Sequence, residues 1–231
     1  MITSLRSAIS AVSLVVIIGT SLPVRAAVSN GNFQATPDHF QDWNTWTSGS
    51  PCEIGTVDHY GSYYSTIAHL HAQATYQWDG YDWIGNDGYV QLNRYPDYVV
   101  TIGQGQTVLQ FDAARILDGE DLANPKVTII ATNSPDPNLI GWASGKDVRS
   151  SIWSTFQIPL WDDPDNPLPP GTEIEILIET FTNQPYRDGA SGEQITQTID
   201  LYVDNFMLVP LPGTLLLLLS GGAILLRRYR R

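Results

Sequence analysis

The sequence has a single cysteine, Cys52, among 231 residues. One thiol cannot form an internal disulfide bond, so the class of small secreted domains held together by disulfides is excluded. Four histidines are present, but no C-x-x-C or H-E-x-x-H spacing accompanies them, and such spacings mark structural and catalytic zinc sites. Burial of apolar surface must therefore stabilise the folded domain.

Basic residues are scarce in the middle of the chain. Residues 38–204 contain all 24 acidic residues but only six of the 12 lysines and arginines, which gives this region a formal charge of −18. Such a charge repels nucleic acids and acidic polymers and keeps a protein soluble. Nucleic acid is therefore not an expected partner.

Motifs of well-known enzyme classes are also missing. The chain contains no G-x-S-x-G, no H-E-x-x-H and no phosphate-binding loop. Carboxylates are plentiful, so a polysaccharide-active enzyme stays an alternative, for which two carboxyl groups about 5 to 10 Å apart in a cleft would be required. We predict that the protein is not an enzyme.

The sequence does contain short stretches with the period of two that is typical of β-strands. Residues 173–179 place isoleucines at even positions, as in a half-buried strand. Similar or β-rich stretches cover residues 63–72, 88–92, 107–113, 126–131, 152–158 and 198–208. About eight such strands without a soluble helix predict an all-β, antiparallel β-sandwich over residues 27–208.

The N-terminus has the layout of an export signal. Arg6 precedes an apolar stretch at residues 9–18, and Val24 and Ala26 supply the small residues that signal peptidase requires. We predict a signal peptide at residues 1–26, so that the mature chain starts at Ala27. An uncleaved N-terminal anchor is the alternative.

The C-terminus has the layout of a membrane anchor. Residues 211–226 contain no ionisable side chain, and a helix of these 16 residues would be about 24 Å long, slightly short of a hydrocarbon core of about 30 Å. Cationic segments stay in the cytoplasm. We predict a transmembrane helix at residues 211–226 in the lipid bilayer, with the sandwich outside the cell and a cytoplasmic stop formed by Arg227, Arg228, Arg230 and Arg231.

The last tenth of the chain also resembles a known family of sorting signals. A short proline motif precedes the leucine-rich span and the arginine cluster, and it consists of Val209, Pro210, Leu211, Pro212, Gly213 and Thr214. This order resembles the PEP-CTERM signal in its V-P-L-P variant. The resemblance implies cleavage by an exosortase and passage from the inner membrane to the cell surface or an exopolysaccharide matrix. Leu211 stands where the commonest form has Glu.

Motifs between the two ends follow one another in a familiar order. Asn30-Gly31-Asn32-Phe33 opens the domain, Trp153 and Phe156 come later, and Tyr202-Val203-Asp204-Asn205 closes it. This order resembles the galactose-binding-like jelly roll of carbohydrate-binding modules. The resemblance implies a jelly-roll sandwich that contacts polysaccharide.

In that fold a calcium ion often ties the first strand to the last. The resemblance assigns the two matching ligand positions to Asp204 and Gln34, where Gln34 supplies an amide oxygen instead of a carboxylate. A purely structural interpretation of Asp204 is that it accepts backbone hydrogen bonds at the end of a strand. Apart from this calcium ion, no cofactor is expected.

An aromatic cluster at residues 76–83 is the candidate sugar-binding platform. Flat rings stack on the apolar C–H faces of sugars, while neighbouring Asp and Gln side chains bind hydroxyl groups. The candidate residues are Tyr76, Trp78, Tyr81 and Trp83. The alternative is that these large rings belong to the core of the sandwich.

Two histidines share one face of a predicted strand. His69 and His71 would chelate one metal ion if a third ligand lay opposite them, although solvated surface histidines are the simpler interpretation.

Together these features predict an exported, non-catalytic surface protein whose β-sandwich contacts extracellular polysaccharide. A structural matrix or adhesion protein without a sugar site is the main alternative, and full burial of Trp78 and Trp83 would favour it.

Overall fold

The computed structural model describes residues 26–49, 51–94, 96–120, 122–161 and 167–210. The predicted transmembrane helix 211–226, the four terminal arginines and residues 1–25 of the predicted signal peptide lie outside these ranges. The same holds for Leu211, Pro212, Gly213 and Thr214 of the predicted sorting motif. Within the described ranges, no helix has both the length and the apolar character needed to cross a bilayer.

The strands of the described residues form two sheets. The seven-stranded sheet contains β1 (Ala26–Ala27), β3 (Cys52–Tyr60), β4 (Tyr63–Trp78), β5 (Trp83–Ile84), β8 (Val108–Asp118), β11 (Ser154–Pro159) and β13 (Gln194–Val209). The six-stranded sheet contains β2 (Asn44–Ser48), β6 (Tyr89–Asn93), β7 (Val100–Thr101), β9 (Lys126–Asn133), β10 (Ala143–Asp147) and β12 (Glu173–Phe181). A short 3-10 helix, Pro137–Leu139, connects β9 to β10.

Every strand pair in these sheets is antiparallel. The main strands lie in the order β11-β8-β13-β4-β3 in one sheet and β10-β9-β12-β6-β2 in the other. The chain crosses between the two sheets eight times along the order of these strands, for example after β5, after β8 and after β10. The prediction of an all-β, antiparallel sandwich is therefore confirmed.

The core lies between the two sheets, and β12 shows how the sequence builds it. Ile174, Ile176 and Ile178 are fully buried and point inward, while Glu175 and Glu179 lie on the outer face. Complete burial of one such aliphatic side chain contributes about 1.5 to 3 kcal/mol. Because a shift by one residue would expose all three isoleucines, their alternation sets the register of β12.

The opening segment packs against the last strand. Phe33 is fully buried, with its ring centroid 5.4 Å from that of Trp43 and 6.3 Å from that of Phe206. The Phe206 N–H donates to the Gly31 carbonyl oxygen over 2.9 Å. Backbone hydrogen bonds and aromatic packing thus hold the opening segment of the sandwich against its last strand.

The strand β13 runs further than its apolar pattern indicates. Val209 ends this strand opposite Val108 and is buried, although it is also the first residue of the predicted sorting motif. Pro210 follows directly outside the strand. The sandwich therefore reaches one residue into that motif.

Candidate functional site

The aromatic cluster predicted as a sugar platform is mostly buried. Tyr76 and Trp78 lie at the end of β4 with their rings inside, and β5 brings Trp83 opposite Trp78. Trp78 is 8% exposed and Trp83 is 2% exposed, whereas Tyr81 in the intervening turn is 92% exposed. Three of the four rings of the predicted platform are therefore buried, and only Tyr81 is open to solvent.

A segment far along the chain covers these rings. The Trp83 Nε1–H donates to the Arg187 carbonyl oxygen over 2.7 Å, and the Arg187 guanidinium lies 5.6 Å from the Trp83 ring centroid. Gly189 approaches so closely that a Cβ at this position would lie 2.6 Å from Trp78 Cβ. These rings belong to a second, smaller hydrophobic core, which we name the end cluster. It consists of Ala74, Tyr76, Trp78 and Trp83, with Ile195 packed against them.

An ion-pair network holds the covering segment in place. The Arg187 Nη2 atom lies 2.5 Å from Glu193 Oε1, and its Nε atom lies 2.5 Å from Glu120 Oε2. The hydrogen bond from Arg187, together with one from the Ala190 backbone, lowers the pKa of Glu193 to about 2. The network connects the turn before β13 to the segment after β8.

The first calcium candidate, Asp204, is completely buried at a β-bulge. The register of β13 against β8 shifts between Asp204 and Met207, and Asn205 adopts a left-handed backbone with a φ of 58°. Asparagine tolerates this conformation better than most residues. The bulge inserts one extra residue, so that both Val203 and Phe206 face the core.

Hydrogen-bond donors surround the Asp204 carboxylate. Its oxygens accept from the Asn205 backbone N–H over 2.7 Å and from the Tyr63 hydroxyl over 3.0 Å. Burial raises the pKa of Asp204, and the charge of Asp112 adds to this effect. These contacts agree with the structural interpretation of Asp204 as an acceptor of backbone hydrogen bonds.

The second calcium candidate, Gln34, lies near Asp204 but points an amide group at a hydroxyl. Its Nε2 atom donates to Ser65 Oγ over 3.2 Å. Among the described residues, no group of three or more His, Cys, Asp or Glu ligands includes Asp204. Calcium binding by Asp204 and Gln34 stays a prediction.

An exposed tryptophan lies on the outer face of the six-stranded sheet. Trp46 in the edge strand β2 is 53% exposed and pairs in register with Gln91 of β6, which in turn pairs with Glu179 of β12. Trp46 and Tyr89 meet at 5.1 Å between ring centroids with their planes 64° apart. We name this surface the six-strand face, and its residues are Trp46, Tyr89, Gln91, Asn93, Glu179 and Phe181.

A shallow depression of about 550 Å³ lies on this face, lined by Trp46, Tyr89, Gln91 and Asn93. The Tyr89 hydroxyl lies 3.0 Å from Gln91 Oε1 and 3.2 Å from Glu179 Oε1, to which it donates. Burial and the charge of Glu179 raise the pKa of Tyr89 to about 12. An exposed ring beside amide and carboxylate oxygens is the combination that stacks on a sugar and binds its hydroxyl groups.

No role was predicted for Trp46 from the sequence alone. A signal for its strand was available in Thr45 and Thr47 on either side of it, because β-branched residues favour strands. The alternation of Tyr89, Gln91 and Asn93 along one side of β6 was a second signal. Neither reveals that the two strands are neighbours.

The outer face of the seven-stranded sheet also has aromatic residues, together with histidines. Tyr63 stacks on Trp153 at 4.6 Å between centroids, and His69 stacks on Tyr202 at 4.6 Å with their planes only 4° apart. His69 and His71 share this face, as the sequence predicted, and Asp200 lies opposite them within hydrogen-bond distance. These three residues offer ligand atoms that all lie within 4.8 Å of one another.

No protein-family model matches the sequence, and no curated protein matches it. Among solved structures, a family 16 carbohydrate-binding module is 11% identical at a TM-score of 0.41, and the alignment covers 78% of this chain and 97% of that one. A second solved structure, described as a structural basis for the promiscuous specificity of carbohydrate-binding modules from the β-sandwich superfamily, is 17% identical at a TM-score of 0.40. The alignment covers 72% of this chain and 57% of that protein, so this chain spans less than two thirds of its length.

A cyclase from Fischerella sp. is also similar, at 13% identity and a TM-score of 0.41, over 81% of this chain and 96% of the cyclase. These similarities extend only to the β-sandwich fold. The two sheets already establish that fold without any comparison.

Proposed function

We propose that this chain is an exported surface protein whose sandwich binds neutral polysaccharide at the six-strand face. The single observation that carries this proposal is the half-exposed indole of Trp46, which shares a depression with Tyr89, Gln91 and Asn93. The ring is attached to a strand that is hydrogen-bonded to β6, so it needs little reorganisation to receive a ligand.

The size of the exposed ring sets the expected affinity. A half-exposed indole offers on the order of 100 Å² of apolar surface, which contributes about 2.5 kcal/mol when a sugar ring covers it. Hydrogen bonds to Gln91, Asn93 and Glu179 add a few kcal/mol at most, since each replaces a bond to water. Because association also costs translational and rotational entropy, a single site should bind weakly, with a dissociation constant of about 1 mM or higher.

The charge of the domain indicates which polysaccharides it binds. Residues 38–204 have 24 acidic and six basic residues, a formal charge of −18. An anionic polymer such as alginate must approach against this charge, whereas a neutral polymer does not. Neutral polysaccharides are therefore the proposed ligand class.

Export and anchoring form the second part of the proposal, and the two ends of the sequence support them. Signal peptidase would release the chain after Ala26, residues 211–226 would hold it in the inner membrane, and an exosortase would act near residues 209–214. Intact-mass measurement of the protein recovered from the cell surface tests all three steps. A full-length mass in the cytosolic fraction would contradict them.

A structural matrix protein without a sugar site is the second candidate, and the burial of Trp78 and Trp83 favours it over a platform at residues 76–83. The two candidates differ at Trp46, because only a sugar binder needs its indole.

For an enzyme, one adjacent carboxyl pair is Asp112 and Asp204, which face each other in register. A substrate has no access to Asp204, since it is fully buried.

The test compares binding of the full-length chain, purified in detergent, to insoluble and soluble polysaccharides. The panel contains neutral xylan, β-glucan and agarose together with anionic alginate, and binding is measured by pull-down and affinity electrophoresis. Trp46→Ala should weaken binding to the neutral ligand by about tenfold to a hundredfold, which corresponds to about 1.4 to 2.7 kcal/mol.

Tyr81→Ala is the matched control, because Tyr81 is an exposed aromatic residue outside the six-strand face. It should bind like the unsubstituted chain. Equal binding of Trp46→Ala and Tyr81→Ala would overturn the site at Trp46, and a lack of binding by the unsubstituted chain would favour the structural matrix protein.

A further inference from the structure

We propose that His69, His71 and Asp200 form a binding site for a divalent transition-metal ion of the zinc class. The site lies on the outer face of the seven-stranded sheet, on the opposite side of the sandwich from the six-strand face. His69 Nε2 lies 2.7 Å from Asp200 Oδ1, and His71 Nδ1 lies 2.8 Å from the same oxygen. Two imidazoles therefore converge on one carboxylate.

The register of two long strands creates this convergence. His69 and His71 are two residues apart in β4, so both side chains emerge on the same side of the sheet. In β13, Asp200 lies directly opposite His71, and Tyr202 lies directly opposite His69. A directly paired residue and its diagonal neighbour are both within reach of a side chain of this length. The carboxylate thus supplies the third ligand that the two histidines lack on their own strand.

The donor set selects the kind of ion. Two imidazole nitrogens and one carboxylate oxygen suit zinc and neighbouring transition metals, while calcium prefers six to eight oxygen ligands. Bonds of about 2.1 Å in a tetrahedral zinc site place neighbouring ligand atoms about 3.4 Å apart. The nitrogen–oxygen contacts of 2.7 and 2.8 Å would lengthen by about 0.7 and 0.6 Å in such a site, through rotation of the side chains.

Two features prepare the site for an ion. The stacked ring of Tyr202 restrains the His69 imidazole, which reduces the conformational entropy lost on binding. The side chains of His69, His71 and Asp200 are 25%, 23% and 18% exposed, so an ion reaches them from solvent. Three protein ligands leave at least one coordination position for water or an external ligand.

The experiment titrates Zn²⁺ into the full-length chain in detergent, prepared without a histidine tag, and measures binding by isothermal titration calorimetry. One equivalent of Zn²⁺ should bind per chain, and Ca²⁺ at the same concentration should not displace it. His69→Gln and His71→Gln should each weaken binding at least about 100-fold, because loss of a ligand should cost no less than loss of a group that orients one. Asp200→Asn should weaken it at least about tenfold, because the amide is neutral.

His59→Gln is the matched control, because His59 is an exposed histidine on β3 that lies outside the site. This variant should bind Zn²⁺ like the unsubstituted chain. A second measurement needs no variant: Cu²⁺ bound at the site should show electron paramagnetic resonance coupling to two nitrogen atoms. The proposal is overturned if Zn²⁺ does not bind, if the His69→Gln/His71→Gln double variant keeps its affinity, or if the Cu²⁺ spectrum lacks nitrogen coupling.

Discussion

The end cluster and the six-strand face contain the same kinds of residues and differ in what covers them. Each combines tryptophan and tyrosine rings with nearby carboxylates. In the end cluster, Arg187 and Gly189 close over the rings from a segment about 100 residues away in the chain. Nothing in the described residues covers Trp46 in this way, because it projects from the edge strand β2 on the outer side of its sheet. Aromatic residues in the sequence thus indicate where a sugar platform could form, but contacts from distant chain segments determine whether the rings stay exposed.

The difference between the two regions is tested most strongly by removing one tryptophan from each. Trp83→Ala should lower the free energy of unfolding by about 3 to 5 kcal/mol, since it opens a cavity under the covering segment. Trp46→Ala should lower it by only about 1 to 2 kcal/mol, because about half of this ring is exposed and its other half packs on Tyr89. Urea denaturation followed by far-ultraviolet circular dichroism measures both. Similar losses in the two variants would mean that Trp46 is also a core residue.

A second prediction tests the close approach of the covering segment. Gly189→Ala should destabilise the protein by about 1 to 3 kcal/mol, because the new methyl group meets the Trp78 and Trp83 rings within 3 Å. Gly55→Ala is the matched control: a Cβ there meets nothing within 4 Å. Its unfolding midpoint should equal or slightly exceed that of the parent chain. A neutral Gly189→Ala variant would show that the segment yields easily.

A third prediction, with a smaller expected effect on stability, compares the hydroxyl groups of Tyr76 and Tyr89. Tyr76 Oη donates to Asp87 Oδ1 over 2.5 Å and lies 3.0 Å from Thr182 Oγ1 inside the end cluster. Tyr76→Phe should cost about 1 to 3 kcal/mol, because the buried Thr182 hydroxyl and the Asp87 carboxylate lose a hydrogen-bond partner. Tyr89→Phe should cost about 1 kcal/mol or less, since water replaces the lost bond at the surface. Thermal melts of both variants give the ranking, and the reverse order would contradict it.

The smallest expected effect is a difference in pH dependence between two glutamates. The pKa of Glu193 is lowered to about 2 by Arg187, so its contribution to stability is present above the ordinary value of 4.5 and is lost as the pH falls towards 2. Glu175, on the outer side of β12, has a pKa raised by burial, so its contribution is present below 4.5 and is lost as the pH rises through the raised pKa.

Glutamine at the two positions should therefore act in opposite directions at pH 7. Glu193→Gln should be less stable than the parent chain and Glu175→Gln more stable, and both differences should shrink as the pH is lowered to 2. Urea denaturation at several pH values measures them. Equal signs at neutral pH would contradict the assigned environments.

The sequence predicted the sandwich because several of its strands have chemically different faces. The isoleucines of residues 173–179 are the clearest case, since their alternation survives in β12. β2, β3 and β10 were not predicted, because residues such as Gly145 and Lys146 lack an apolar alternation and are held by the neighbouring strand. The bulge at Asn205 was not predicted either, since a period of two gives no sign of an inserted residue.

The candidate sites show where sequence reasoning ends. The shared face of His69 and His71 followed from their spacing in β4, but Asp200 is 129 positions from His71, and only the register of two strands makes them partners. The burial of Trp83 likewise depends on a contact with Arg187 across 104 positions. Local chemistry predicted which residues could act, and long-range pairing determined which of them do meet.

The central position of β13 has a mechanical consequence. This strand pairs with β4 along Gln194–Val203 and with β8 along residues 198–209, and antiparallel hydrogen bonds run perpendicular to the strands. Tension applied to the chain beyond Pro210 would pull β13 along its own axis and load both ladders in shear at once. If the proposed anchor and sugar site are both correct, drag on the cell would reach the polysaccharide through this strand, loaded in shear.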